Sequence, residues 1–226
     1  MLRKWEDLPD FMRIEEVRPY YDCLKKKWFS LWIKRIFDIV VSAMMILILS
    51  PVFLVLAIAI KLDSPGPVFF RQVRVTIYGK RFRIHKFRSM CRDAEKQGSQ
   101  VTIGNDMRIT RVGKLIRDCR LDEIAQLLDV FVGNMTFVSA RPEVEKYVEK
   151  YEPEWNATFL LPAGVTSEAS ILYKDEAELL KDAEDVDLVY MEKVLPEKMK
   201  YNLVSIREFS CWTDILTMIR TALAVI

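Results

Sequence analysis

Residues 39–60 read IVVSAMMILILSPVFLVLAIAI, a run of 22 residues without a charged side chain. As one helix this run would be about 33 Å long, enough to cross a hydrocarbon core of about 30 Å. Pro51 lacks an N–H group and presses on the Leu47 carbonyl, and the Ser50 hydroxyl is placed to help satisfy the freed backbone. We therefore expect Ser50 and Pro51 to divide the run into two arms that enter the membrane and return. A kinked single-pass anchor is the alternative.

The charges on either side of the apolar run favour re-entry over spanning. Residues 25–35 carry five Lys or Arg and no acid, and residues 61–88 carry eight Lys or Arg. A spanning helix normally shows this bias on one side only. Both flanks are therefore predicted to be cytoplasmic, and residues 34–62 to form a re-entrant membrane helix between an N-terminal extension, 1–33, and a cytoplasmic catalytic region, 63–203.

The composition is that of one folded unit. The 226 residues are 51% hydrophobic, 34 basic residues nearly balance 32 acidic ones, and only 7 are glycine. These values exclude a wholly basic nucleic-acid-binding chain, an acidic disordered tail and a low-complexity linker. The four cysteines form no CxxC pair, which argues against a structural zinc site and fits a reducing cytoplasm.

The remaining sequence predicts an α+β, mostly helical fold. Residues 67–87, PVFFRQVRV, TIYGK and RFRIHKF, alternate apolar and basic side chains around Gly79 and predict a β-hairpin. Helical patterns follow at 111–120, 122–132, 143–151 and 175–195, with Gly133 as a C-cap. Residues 204–226 predict an amphipathic helix whose apolar stripe is a core or dimer face, or alternatively lies on lipid. A homodimer is thus one expected assembly.

Asp122 and Glu123 are the first candidates for chemistry. Adjacent carboxylates lie about 100° apart on a helix, so one can point into a site while the other binds a metal or a neighbouring base. Acids are also common in the first turn of a helix, where they cap N–H groups, and spacing alone favours that structural interpretation. The nearby Arg117 and Arg120 shift the balance slightly towards a site.

A cationic set forms the second candidate: Lys86, Arg88, Arg117 and Arg141. Guanidinium groups suit phosphate oxygens, although ordinary solvated or lipid-facing charge explains most basic residues of this region. The sequence contains no GxxxxGK[ST] loop and no GxGxxG turn, so nucleotide phosphates would be held by side chains and a metal. His85, the only histidine, is interpreted as a polar member of a basic strand.

An ordered set of motifs resembles the bacterial sugar transferases. The set consists of KRIFDIVVS from Lys34, Ser50-Pro51, LDSPGPVFFRQVRV, KFRSM, DMRITRVGKLIR, RLDEIAQLLDV, GNMT and RPE at 141–143. Each motif is weak alone, but their order over residues 34–172 is specific to the monotopic polyprenyl-phosphate phosphoglycosyl transferases. At 226 residues the chain is similar to the minimal form of that family.

This resemblance implies a reaction at the bacterial inner membrane, with the catalytic region facing the cytoplasm. A UDP-sugar donor, Mg²⁺, an undecaprenyl phosphate acceptor and membrane lipid would be the partners, in the first membrane step of surface polysaccharide synthesis. Asp122 would be both nucleophile and metal ligand, forming an aspartyl phosphosugar in a ping-pong reaction that releases UMP. Glu123 would complete the dyad, and the four cations would surround the phosphates.

Three segments depart from the family pattern. SARPE replaces GPRPE, GNMT replaces GDMS, and residues 164–170 read GVTSEAS where the family reads G-[LI]-T-G-x-A-Q. The dyad itself is intact.

Two alternatives follow from the residues: a membrane-anchored adaptor that binds anionic lipid without catalysis, and a glycosyltransferase that would release UDP instead of UMP.

Overall fold

The computed structural model describes residues 2–92, 107–176 and 185–225. Its elements are helices α1 (Arg18–Lys26), α2 (Trp28–Asp63), α3 (Arg111–Asp118), α4 (Leu127–Val132), α5 (Glu145–Val148), α6 (Glu168–Leu172), α7 (Val186–Val189), α8 (Leu195–Arg207) and α9 (Cys211–Val225), and strands β1 (Phe69–Thr76), β2 (Lys80–Phe87), β3 (Met135–Val138) and β4 (Ala163–Thr166). β1 pairs antiparallel with β2, and β3 pairs parallel with β4. The α+β, mostly helical fold class is confirmed.

The apolar run belongs to one continuous 36-residue helix, α2, with Pro51 inside it. The predicted division into two helices at this proline is therefore wrong, and the helix begins earlier than expected, at Trp28. The Ser50 hydroxyl donates to the Leu47 carbonyl at 2.8 Å. Because that carbonyl is the acceptor left without its usual N–H partner by proline, the serine lets the helix continue through Pro51.

The start of α2 is fixed to the rest of the protein by buried polar contacts. The Lys34 ammonium donates to the Val138 carbonyl at 2.9 Å and to the Asp214 carboxylate at 2.5 Å. The buried Asp38 carboxylate accepts a hydrogen bond of 2.7 Å from the Thr136 hydroxyl. These contacts join α2 to β3 and α9. They explain why charged residues occur at the start of a helix that is long and apolar enough to cross a membrane, which we call the membrane-type helix.

The C-terminal end of α2 also packs on the rest of the described structure, which we call the body, whereas the middle of the helix does not. Leu56 and Ile60 are buried in an apolar cluster with Phe87, on β2, and with residues of the helical segment that follows. Between Ser42 and Leu56 no residue of the helix is buried. The helix thus holds the body at both ends and presents an exposed apolar middle.

The predicted hairpin is confirmed, with β1 and β2 in register from the Phe69 and Phe87 pair to the Thr76 and Lys80 pair. Its turn needs glycine, because Gly79 has φ +72° and an added Cβ would lie 2.7 Å from the Phe11 ring. The alternation places Phe82 and Ile84 in the core and leaves Arg81 and Arg83 exposed.

The dyad segment is folded more tightly than the sequence predicts. After α3 ends, Arg120 adopts a left-handed conformation with φ 51°, and a 3₁₀ helix, Leu121–Gln126, precedes α4. The expected helix at 122–132 is therefore a 3₁₀ turn followed by a short α-helix, because the chain reverses at Arg120. Gly133, with φ 89°, caps α4 as predicted.

Two later predictions need correction. In the expected helix at 143–151 only four residues, α5, are helical. The C-terminal helix α9 begins at Cys211 and is separate from α8, so it does not extend from residue 204. Part of the predicted helix at 175–195 lies outside the described residues; the rest comprises α7 and a π-helical turn, Tyr190–Val194. Phe209 is buried, whereas Trp212 and Leu223 of the same stripe are exposed.

The N-terminal segment, residues 2–27, is part of the main apolar core. Its buried side chains are Leu8, Met12, Val17, Tyr20, Tyr21 and Leu24, and they share one cluster with Trp155, Phe159, Leu195, Met199 and Ile206. The segment also reaches the hairpin turn, where the Tyr78 hydroxyl accepts a hydrogen bond from the Arg3 backbone N–H at 2.9 Å. The segment therefore braces the hairpin against α8.

We expect Leu24→Ala to destabilise the whole protein, because Leu24 is fully buried between the N-terminal segment and α8. A cavity of this kind costs about 2–5 kcal/mol. Thermal unfolding of the detergent-solubilised protein measures the effect. Leu115→Ala is the matched control, since Leu115 is 63% exposed. Equal melting temperatures for the two variants would contradict a structural role for the segment.

Candidate active site

One large cavity, about 910 Å³, opens between the hairpin, the dyad segment and the stretch after β3. All six residues predicted for catalysis and phosphate binding line it: Lys86, Arg88, Arg117, Asp122, Glu123 and Arg141. Ser50 and Pro51, predicted for the membrane segment, lie in α2 and are not among the lining residues. The sequence motifs thus converge on a single site.

Separate elements bring these side chains together. Lys86 lies near the end of β2, Arg117 in the last turn of α3, and Arg141 in the extended segment that follows β3. Asp122 and Glu123 occupy the first turn of the 3₁₀ helix directly after the left-handed Arg120. A left-handed non-glycine residue costs roughly 1 kcal/mol, so the turn that presents the dyad is held under strain by its surroundings.

Glu123 is held by two cations. It forms a short charged hydrogen bond with the Arg141 guanidinium, and the Lys86 ammonium donates to the same oxygen at 3.2 Å. Burial alone would raise the pKa of Glu123, but the attraction of Arg141 and Lys86 outweighs it and holds this pKa well below its usual range. Glu123 therefore stays ionised and positions two cations; it is poorly suited to carry a proton.

Asp122 is held more loosely than its neighbour. Its carboxylate lies 3.9 Å from the Lys86 ammonium, and its side chain is 16% exposed, on the cavity wall. Burial raises the pKa of Asp122 above the ordinary aspartate value, an effect that Lys86 opposes and Glu123 adds to. A partly desolvated carboxylate beside cations is suited to attack an electrophile that brings its own negative charge.

Arg88 lines the cavity, and its role as a phosphate ligand stays a prediction, but its guanidinium already has backbone partners. The buried guanidinium donates to three carbonyls, those of Ile60 at 3.3 Å, Ser64 at 2.7 Å and Pro65 at 2.9 Å. These carbonyls lie in and just after the last turn of α2, where helices leave backbone acceptors without intrahelical donors. Arg88 therefore caps the membrane-type helix and ties it to the strand that carries Lys86.

The donor set fits Mg²⁺ only with help from a substrate. In the described part of the chain no group of three or more His, Cys, Asp or Glu residues could hold a metal ion. Mg²⁺ is commonly bound through one or two carboxylates together with substrate phosphates, and Asp122 supplies one such carboxylate at the cavity wall. The Glu123 carboxylate already pairs with Arg141 and Lys86, so we do not assign it to the metal.

Sequence reasoning missed part of the site. Arg74 lines the cavity and donates to the Pro142 carbonyl at 3.1 Å and to the Gln72 side chain. Glu143, Tyr190 and Lys198 line another wall. The basic alternation of the hairpin marks Arg74 only as one of several arginines, and nothing local in the sequence links residue 190 or 198 to residue 143.

A comparison with protein families identifies the family of this chain. The family model of the bacterial sugar transferases matches residues 29–226. The chain therefore belongs to the bacterial sugar transferase family. The N-terminal segment, 2–27, lies outside the matched range.

Three relatives illustrate the likeness. Over 193 residues the chain is 36% identical to the UDP-N-acetylgalactosamine-undecaprenyl-phosphate N-acetylgalactosaminephosphotransferase of Aeromonas hydrophila, covering 84% of this chain and 43% of that protein. Over 192 residues it is 34% identical to the UDP-glucose:undecaprenyl-phosphate glucose-1-phosphate transferase of Caulobacter vibrioides, covering 83% and 67%. Over 149 residues it is 38% identical to the exopolysaccharide production protein PSS of Rhizobium leguminosarum bv. phaseoli, covering 63% and 74%. The chain spans about two fifths of the length of several curated relatives it matches.

We expect Arg88→Gln to lower stability, because the end of α2 would lose a charged donor to several buried acceptors. Hydrogen bonds to charged groups contribute about 1.5–3 kcal/mol. The melting temperature in detergent should fall, whereas Arg83→Gln, at an exposed position of β2, the strand that precedes Arg88, should leave it unchanged. An unchanged melting temperature for Arg88→Gln would contradict this capping role and favour phosphate binding as the function of Arg88.

Proposed function

We propose that this protein is a phosphoglycosyl transferase that moves a sugar 1-phosphate from a UDP-sugar to undecaprenyl phosphate and releases UMP. The observation that carries the proposal is the asymmetric dyad: Glu123 is held by Arg141 and Lys86, and Asp122 lies beside them in a cation-lined cavity. The activities for which the Aeromonas and Caulobacter relatives are named support the same substrate classes. The name of the Rhizobium relative supports a role in surface polysaccharide production.

The reaction proceeds in two displacements at one phosphorus atom. A carboxylate oxygen of Asp122 attacks the sugar-bearing phosphate of the donor, the new O–P bond forms, and the bond to the bridging oxygen breaks, so UMP leaves with that oxygen. The phosphate of undecaprenyl phosphate then attacks the aspartyl phosphosugar and regenerates the carboxylate. Covalent catalysis of this kind divides one difficult transfer into two easier steps.

The cations around the dyad make the attack electrostatically feasible. A carboxylate approaching a diphosphate brings negative charges together, and Lys86, Arg117 and Arg141 line the space where those charges meet. Mg²⁺, held by Asp122 and the phosphates of the donor, would add further neutralisation when bound. Glu123 keeps Arg141 and Lys86 oriented before substrate arrives.

The anchoring of α2 supports a re-entrant path in the inner membrane with the body in the cytoplasm. A straight helix would separate Lys34 from Ile60 by about 39 Å, more than the hydrocarbon core. Both residues nevertheless contact one polar body, which cannot lie inside the bilayer. A spanning helix would place one of these ends on the far side, so we infer that α2, although continuous, is kinked at Pro51 in the membrane and returns to the same side.

Asp122→Asn should abolish transfer and leave the fold intact, because the amide keeps the shape of the side chain but cannot act as the nucleophile. The wild type should release one equivalent of UMP per enzyme before acceptor is added, and sugar-labelled donor should label Asp122. More than a few per cent residual transfer, with unchanged melting, would contradict this assignment. A wild type that turns over with neither burst nor label would indicate direct attack by the acceptor in a ternary complex.

In Lys86→Met, the pH profile of the UMP burst rate should shift so that its acidic limb lies at higher pH. Asp122 attacks only when ionised, so the rate falls as pH drops through its raised pKa. Lys86 lowers that pKa, and its removal raises the pKa further. Lys80→Met is the matched control, at an exposed position of the same strand. An acidic limb that stays in place in Lys86→Met would argue against Asp122 as the titrating group.

The topology makes a prediction separate from the chemistry. In a background without the four native cysteines, single cysteines at Lys26 and at Lys80 should react with an impermeant thiol reagent from the cytoplasmic side only. Pro51→Ala should supply the missing N–H for Leu47, straighten the helix and shift some molecules towards spanning. Periplasmic labelling of position 26 in the background with Pro51 would refute re-entry.

A further inference from the structure

One wall of the cavity is a connected network of polar side chains. The Tyr190 hydroxyl donates to the Glu143 carboxylate at 2.7 Å, and the Lys198 ammonium donates to the Tyr190 oxygen at 3.1 Å. Lys198 also donates to the Glu176 carboxylate at 2.8 Å. All four residues line the cavity, and the Tyr147 ring lies 4.8 Å from that of Tyr190. We call these four hydrogen-bonded residues the tyrosine wall.

The tyrosine wall lies next to the reacting centre. Glu143 is two residues from Arg141, whose guanidinium contacts Glu123, so the two backbone positions are at most about 7 Å apart. The sugar of a UDP-sugar is attached directly to the phosphate that Asp122 attacks. Uracil is further away by a second phosphate and a ribose. The sugar is therefore the nearest neutral group of the donor to the dyad, since the other neighbour of the attacked phosphate is a second phosphate.

The chemistry of the wall differs from that of the phosphate side. Around the dyad the lining is cationic, whereas the tyrosine wall combines two carboxylates, one ammonium and aromatic surface. Sugar hydroxyls donate to carboxylates and accept from ammonium groups, and the C–H face of a hexose packs on aromatic rings. Within the described residues Lys198 uses two of its three N–H donors on the wall, which leaves one for a ligand.

We propose that the tyrosine wall binds the hexosyl group of the donor and selects which sugar is transferred. The inference rests on the proposed function and adds the location of its sugar subsite. Glu143 and Tyr190 are buried and fix the wall, while Lys198 and Glu176 present an ammonium and a carboxylate to the hydroxyl or acetamido groups of the sugar ring. A site that hydrogen-bonds specific hydroxyls discriminates strongly against analogues that leave its groups unpaired.

The test compares wall variants with a control on the same helix. The full chain is assayed for transfer of labelled sugar phosphate to undecaprenyl phosphate from UDP-glucose, UDP-galactose, UDP-N-acetylglucosamine and UDP-N-acetylgalactosamine. UMP serves as a competing ligand that carries the nucleoside but no sugar. The variants are Lys198→Met, Glu176→Gln and Tyr190→Phe. Lys200→Met is the control, since Lys200 is an exposed residue of α8 paired only with Glu197 among the contacts described.

We expect the wall variants to raise KM for the preferred donor about tenfold or more and to change the ranking of donors by kcat/KM. Inhibition by UMP should stay within about twofold of the wild type. Glu176→Gln alters a partly exposed side chain, so it keeps the test informative if the two buried changes lower the melting temperature. Lys200→Met should match the wild type throughout.

Three results would overturn the inference while leaving the proposed function standing. Unchanged KM and donor ranking would show that the wall does not touch the sugar. An equal loss of UMP inhibition would assign the wall to the nucleoside. A fall in kcat alone would make the wall a support for Arg141. Absence of transfer from every donor by the wild type would instead refute the proposed function and the sugar subsite with it.

Discussion

The attachment of an apolar helix to a charged body is the constraint on which this structure depends. Lys34 and Asp38 are buried at the start of α2, and each is matched by a partner on another element. A buried charge without such a partner costs several kcal/mol, so the contacts work only if β3 and α9 are in place. The folding of the body and the position of the membrane-type helix are therefore coupled.

The same coupling reaches the candidate active site through Arg88. Its guanidinium terminates α2, and its backbone belongs to the KFRSM motif whose lysine contacts both acids of the dyad. A displacement of the helix end would move the strand that carries Lys86. Under the proposed function, with a lipid as the acceptor, this arrangement would give the site a fixed position relative to the bilayer.

Local patterns in the sequence correctly predicted the features that depend on a few neighbouring residues, such as turns and helix caps. The hairpin followed from alternation around Gly79, and the end of α4 followed from Gly133, because a turn and a cap are set by a few neighbouring residues. The prediction of a helix break at Pro51 was wrong and the backbone contacts of Arg88 were not foreseen, both for a shared reason. In each case the deciding partner was a backbone carbonyl, of Leu47 for the helix and of Ser64 for the arginine, and composition does not show which acceptors a fold leaves unpaired.

The convergence of the dyad and its cations could be predicted from motif order, but the tyrosine wall could not. Its contacts join residues 143, 176, 190 and 198, and the last three lie beyond the motif set at 34–172. The core beneath the wall is completed by the N-terminal segment, which packs on α8 and lies outside the family match. The residues proposed for the phosphate chemistry thus lie in the motifs, whereas the wall that would meet the sugar takes only Glu143 from a motif and is otherwise built and braced by segments without one. Because such segments are constrained mainly by packing, they can change the shape of the sugar subsite while the dyad, Lys86 and Arg141 keep their geometry.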